Sequence, residues 1–205
     1  MNTWGDLKNT ILAKLDLDEA EANEMNYLER FIAYANEAMI MICSTIKPKR
    51  TFYEFEIHNG KYDAAGNLIE EPNINVDIDM PNNFISFGDD RNTIDEDIGY
   101  GDRMIRETCD EDFEYIGYNQ VRCFSPGKYK LSYNAVWHIF SLNDDVLTVP
   151  LDVLACIPSY VASQCYKVDD DTKAAVFRNE FEILFARIDD TNYKSNKTFK
   201  IGGDW

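Results

Sequence analysis

The segment from Gly88 to Glu114 concentrates the side chains that could do chemistry. It carries eleven carboxylates (Asp89, Asp90, Asp95, Glu96, Asp97, Asp102, Glu107, Asp110, Glu111, Asp112 and Glu114) against only Arg91, Arg103 and Arg106. Carboxylates at alternate positions suggest calcium. An EF-hand loop needs oxygen ligands at positions 1, 3 and 5, glycine at 6 and glutamate at 12. Counted from Asp95, position 3 is Asp97, but position 5 is Gly99 and position 6 is Tyr100; counted from Asp90, position 5 is Ile94. The register fails, and Asp95 with Asp97 remains only as an irregular, weak cation pair. The expected metal is none. A run of like charges repels itself, so the expectation for 88–114 is a solvated, partly mobile acidic loop.

The other reactive residues are sparse. There are two histidines, His58 and His138, and five cysteines (Cys43, Cys109, Cys123, Cys156 and Cys165), none in a C-x-x-C pair. An odd cysteine count with so little histidine argues against both a disulfide framework and a zinc site. Cys43, Cys156 and Cys165 fall in predicted helices, where a free thiol behaves as a small buried hydrophobe. The phosphate-binding, dinucleotide-binding, zinc-protease and nucleophile-elbow patterns are all missing. Gly99-Tyr100-Gly101 lacks a third glycine and a helix start. His58 abuts a turn and His138 follows Trp137 in an apolar run; both read as structural. With 37 acidic residues, carboxylate pairs are inevitable and carry no information. The expectation is no enzyme, no catalytic residue and no cofactor.

Charge is the strongest compositional feature. The net value is −17 over 205 residues, and residues 51–148 hold 20 acids against 7 bases. A protein that grips the outside of DNA needs the opposite sign, because phosphate neutralisation by Lys and Arg supplies most non-specific affinity. No run approaches the roughly 18 to 20 consecutive apolar residues of a membrane span, and residues 1–20 lack a signal peptide's basic start and apolar centre. A chain made in the cytosol, without a membrane partner, is expected.

The elements that must carry these residues follow from periodicity. Trp4, Leu7, Ile11 and Leu15 mark a first helix capped by Thr3. Asp16–Glu24 reads as an acidic connection. Leu28, Phe31, Ile32, Ala35, Ala38, Met39, Ile42 and Ile46 form a wide stripe on a second helix that Pro48 stops. From Thr51 the period changes to 2. Tyr53, Phe55 and Ile57 alternate with Glu54 and Glu56 before an Asn59-Gly60 hairpin signal, and Lys61 and Tyr62 begin the expected return strand. Further alternations occur at Ile74–Met80, Phe113–Cys123 and Gly127–Ala135, followed by Val136–Leu142 and an Asn143-Asp144-Asp145 turn. About six strands fit between Thr51 and Thr148, enough for a small sandwich or barrel. After Pro150 two helical pieces are expected, divided at Pro158. A last helix capped by Thr172 then carries Ala174, Phe177, Phe181, Leu184, Phe185 and Ile188. The tail from Asp189 is polar apart from Tyr193, Phe199, Ile201 and Trp205, which read as a docking motif.

The expected class is α+β: a helical bundle from both chain ends (1–50 and 149–190), an inserted antiparallel β subdomain (51–148) with acidic loop 88–114, and a flexible tail (191–205). This layout resembles the head-to-tail connector (neck or adaptor) proteins of tailed bacteriophages. The matching residues are Asn36-Glu37-Ala38, Met80-Pro81-Asn82-Asn83-Phe84-Ile85, Gly127 to Tyr133, Val149-Pro150-Leu151-Asp152 with Ile157 to Ala162, and Asn179-Glu180-Phe181. The resemblance implies a structural virion protein at the head-tail junction. It would form a ring, expected as a dodecamer, that binds the portal and a tail or next neck protein and lets double-stranded DNA pass without specific binding. Asp89, Asp90, Asp95, Glu96, Asp97 and Asp102 are then candidates for an acidic lumen or loop that repels DNA, and Tyr193, Phe199, Ile201 and Trp205 for docking on portal or a neighbour. Two alternatives stand beside it: another tail-completion or tail-associated structural protein, and a cation- or carbohydrate-binding module.

Overall fold

The computed structural model describes residues 3–24, 26–99, 102–141 and 146–188. The fold is mixed α+β with antiparallel sheets, and the chain separates into a unit of 1–48 with 136–205 and a unit of 49–135.

Among the described residues the first unit contains five helices: α1 (Trp4–Leu15), α2 (Glu19–Glu24), α3 (Tyr27–Thr45), α4 (Leu151–Tyr166) and α5 (Asp171–Phe185). Thr3 caps α1 by accepting from the Asp6 amide at 3.1 Å, as its position predicts. The acidic connection contains the short α2. Helix α4 packs against α1, α3 and α5. Its sequence explains that position: Val153, Leu154, Cys156, Ile157, Tyr160, Val161, Ala162 and Cys165 are buried around the whole circumference, the pattern of a helix with neighbours on all sides.

Two expectations for this unit fail. Pro158 does not divide α4, which runs unbroken through it. A mid-helix proline costs about 3 kcal/mol or more, and burial of apolar residues both before and after it offsets that cost. The cap of α5 is Asp170, whose carboxylate accepts from the Thr172 and Lys173 amides at 3.1 and 3.0 Å; Thr172 lies inside the helix. The α5 stripe is also only partly covered, with Phe181 and Ile188 buried and Ala174, Phe177, Leu184 and Phe185 half-exposed.

Residues 136–141 are not a strand and belong with the helices. Their polar groups find helix-side partners instead. The Asn36 side chain takes the Phe140 amide (2.7 Å) and donates to the Phe140 carbonyl (3.1 Å), and the Trp137 indole donates to the Lys47 carbonyl at 2.9 Å. Phe140 packs on Trp4. Lys47, itself buried, pairs with Asp152 in the first turn of α4. The inserted unit therefore begins at Lys49 and ends at Ala135, narrower than the expected 51–148. The expected 143–145 turn lies outside the described residues.

Among the described residues the second unit holds ten strands: β1 (Lys49–Ile57), β2 (Lys61–Tyr62), β3 (Leu68–Glu70), β4 (Asp77–Asp79), β5 (Phe84–Phe87), β6 (Thr93–Gly99), β7 (Asp102–Glu107), β8 (Phe113–Ile116), β9 (Gln120–Cys123) and β10 (Gly127–Ala135). The main sheet runs β1-β10-β6-β7, with β5 also pairing β10; β4-β9-β8 and β2-β3 form smaller sheets. It is an open arrangement and not a closed barrel. Ile94, Tyr129, Leu131 and Tyr133 of the main sheet share one apolar core with Val121 and Cys123 of β9. The Asn59-Gly60 signal does not make a hairpin onto β1. Nine consecutive residues of β1 pair with β10 instead, a longer ladder than two-residue β2 could offer. Gly88, leaving β5, donates to the Ser132 carbonyl (2.9 Å), and a Cβ there would lie 2.0 Å from Ser132 Oγ; only glycine allows that approach.

Because Phe140 is buried, replacing Asn36 by Ala strands two of its backbone groups at once. Urea denaturation of N36A is expected to show a loss of about 1 to 3 kcal/mol relative to the wild type.

Candidate functional site

The acidic segment is a β-hairpin, β6–β7, not a loop, and its arginines explain the difference. Across the ladder Asp95 faces Ile105, Glu96 faces Met104, Asp97 faces Arg103 and Ile94 faces Arg106. Ile94 is fully buried and anchors the hairpin, while Arg103 binds Asp95 at 2.9 Å and Arg91 binds Glu107. These pairs offset part of the self-repulsion that a reading by net charge alone assigns to the run.

Alternation then sorts the acids. Glu96 lies on the core-facing side of the sheet with Arg106, and Asp95 and Asp97 lie on the outer side. The Arg106 guanidinium reaches Glu96 at 2.6 Å and both oxygens of Asp112 at 2.6 Å. Asp112 is 1% exposed and also accepts from the Cys109 amide at 2.8 Å. The Arg106 hydrogen bonds hold the Asp112 carboxyl well below the usual carboxylate range. Directly above, the Tyr129 hydroxyl lies 2.9 Å from the Asp112 carbonyl and 2.8 Å from that of Ser125. Burial pushes its phenol well above its ordinary value. This is a closed structural junction with every partner supplied by the chain.

The outer side of the main sheet is different. Reading across, one row is Glu56, Lys128, Asp95 and Ile105, and the next is Glu54, Lys130, Thr93 and Glu107. Lys130 bridges to Glu54 at 3.0 Å and stands 4.9 Å over the Phe52 ring. A groove of about 410 Å³ is lined by Glu54, Glu56, Asp95, Ile105, Lys128 and Lys130. The surface is a chequer of both signs with apolar residues at its margins, where Phe52 is 41% and Ile105 74% exposed.

The other candidates separate from it. Asp89 and Asp90 lie exposed at the bend before β6, and Asp102 lies exposed at the start of β7; with Glu96 turned inward, the six acids do not form one patch. Asp95 is engaged by Arg103, and among the described residues no group of three or more metal-ligating side chains occurs. Tyr193, Phe199, Ile201 and Trp205 lie outside the described residues. His58 serves its turn: Nδ1 accepts from the Gly60 amide (3.2 Å) and Nε2 faces Glu70 at 3.3 Å. Burial pushes the thiols of Cys123, Cys156 and Cys165 up to about 12, so they carry no thiolate at neutral pH. Among the described residues no helix is long and apolar enough to cross a membrane.

The sequence reading passed over the β1 and β10 charges. Glu54 and Glu56 alternate with Tyr53 and Phe55, and Lys128 and Lys130 alternate with Tyr129 and Leu131; matching opposite charge on two equal alternations was the available signal. A scan against protein-family models finds no match to this chain, and a search of curated proteins finds none either.

A carboxyl whose folded-state pKa is depressed adds stability above its unfolded pKa of about 4, and that share fades as pH falls below it. D112N is therefore expected to lower the unfolding free energy by about 2 kcal/mol at pH 7. In urea titrations the gap to the wild type should narrow at pH 3; a gap independent of pH would show that the pair does not carry it.

Proposed function

We propose that this chain is a structural virion protein that assembles into a ring at the head-tail junction of a tailed bacteriophage, joining portal to tail around the DNA channel. In that reading the helices from both chain ends form one bundle, and the β unit is an insertion carried by each protomer.

The observation that carries the reading is the presence of unlike contact surfaces on one protomer. A cyclic ring above two subunits needs two different complementary faces, because its contacts are heterologous. Among the described residues the main sheet ends in two unlike open edges, β1 and β7, and helix α5 keeps Phe177, Leu184 and Phe185 only half-covered on one side with Val176 and Ile183 exposed on the other. The net charge of −17 supports it further: an acidic protein surrounding DNA repels it and does not hold it. The resemblance in layout to connector proteins, described above, supplies the location and the portal as partner.

The purified protein, mixed with portal rings of its own phage and examined by sedimentation and negative-stain microscopy, is expected to co-sediment as a stacked double ring. Removing Tyr193–Trp205 should leave the circular dichroism spectrum and thermal transition of the body unchanged while abolishing portal association. Full association of the truncated chain would remove the docking role from Tyr193, Phe199, Ile201 and Trp205, and failure of the intact chain to associate would refute the connector reading.

A further inference from the structure

Resting on the ring reading above, we propose that adjacent protomers join edge to edge through their main sheets, β1 of one copy pairing antiparallel with β7 of the next. The register would place Arg50 opposite Glu107, Phe52 opposite Ile105 and Glu54 opposite Arg103.

The two edges fit on four separate counts. First, both are open: among the described residues β1 has only β10 beside it and β7 only β6. Second, the backbone groups that face outward are identifiable. The Asn73 side chain donates to the Glu56 carbonyl (2.9 Å) and accepts from the His58 amide (2.7 Å) on the open side of β1. Even-numbered residues of β1 therefore point their N–H and C=O outward. On the other edge, the Thr108 amide donates inward to Asn92 at 3.1 Å, so odd-numbered residues of β7 point outward. With Asn73 occupying the far end of β1, three positions remain on that edge, Arg50, Phe52 and Glu54, and three face them on β7, Arg103, Ile105 and Glu107, the Glu107 carbonyl also accepting from the Arg106 guanidinium at 3.1 Å.

Third, those six residues share the outer side of the sheet, by the cross-strand rows that link Glu54 to Lys130 and Asp95 to Ile105. Pairing in this parity would continue the sheet without turning a core-facing residue to solvent. Fourth, the side chains choose among registers. A shift of two residues either way puts Phe52 opposite Arg103 or Glu107. The stated register alone joins opposite charges at two positions and the two exposed apolar residues at the third. All six are exposed in the isolated protomer. An open edge presents unpaired N–H and C=O groups on which another strand can pair. The contact is heterologous, β1 to β7, and so propagates around a ring.

The test uses the full chain. Native mass spectrometry and mass photometry over a dilution series should show the wild type as a closed ring. Glu54→Arg and Arg103→Glu should each raise the concentration at which the ring dissociates by about tenfold or more, and the double variant should return it toward the wild-type value. Independently of folding effects in those variants, an oxidised equimolar mixture of Phe52→Cys and Ile105→Cys chains, in a Cys109→Ser background, should give a disulfide-linked pair, since facing strand residues lie within disulfide reach. Single variants that assemble like the wild type, or a mixture that does not cross-link, would overturn the edge pairing while leaving a wild-type ring standing. A wild type that stays monomeric at every concentration would overturn the ring reading itself.

Discussion

The nine-residue ladder between β1 and β10 is the constraint on which the β unit depends. Lys49 pairs with Ala135 and Ile57 with Gly127, so the strands that open and close the inserted unit lie side by side. A ladder of that length fixes register strongly, because a one-residue slip would exchange Tyr129, Leu131 and Tyr133 for Lys128, Lys130 and Ser132 on the core side. Everything beyond follows from it: β6 and β5 add to the second side of β10, β7 adds to β6, and the outer rows of Glu54, Glu56, Lys128, Lys130 and Asp95 come into line. The helical unit has an equivalent centre in α4, whose burial on all sides organises α1, α3 and α5 about it.

Much of this was legible in the sequence where a period ran long enough. Helix α1, with its Thr3 cap, and helix α3 emerged from 3.6-residue spacing within a residue of their observed ends, and β10 emerged from strict alternation. The places where reading failed share a cause: each was settled by a distant partner. Asn59-Gly60 is a hairpin signal that local chemistry supports, yet β1 found a longer match 70 residues away in β10. Pro158 is a helix breaker by propensity, and the packing around α4 overrides it. Residues 136–141 looked like a strand by composition, but the Asn36 side chain supplies the partners a sheet would have given Phe140.

The acidic segment teaches the same lesson for the candidate site. Its eleven carboxylates read as repulsion while they are counted along the chain. Folded, Arg103 and Arg106 answer them from the opposite strand, with Asp95 on the outside and Glu96 and Asp112 within. What looked like one acidic feature is two: a closed junction that stabilises the unit, and a mixed-charge face whose open edges end in Phe52 and Ile105. The distinction matters for function, since a junction with satisfied partners needs nothing further, whereas an open sheet edge can accept another strand. In the ring reading, that face belongs to contacts between subunits, and the chain's remaining acidity keeps passing DNA unbound.

Cryo-electron microscopy of the assembled wild-type protein tests the central claim most directly. The account predicts a closed ring in which density for β1 of each protomer runs beside β7 of its neighbour, with Phe52 against Ile105. A monomer, or a ring whose β1 and β7 edges both face solvent, would contradict it.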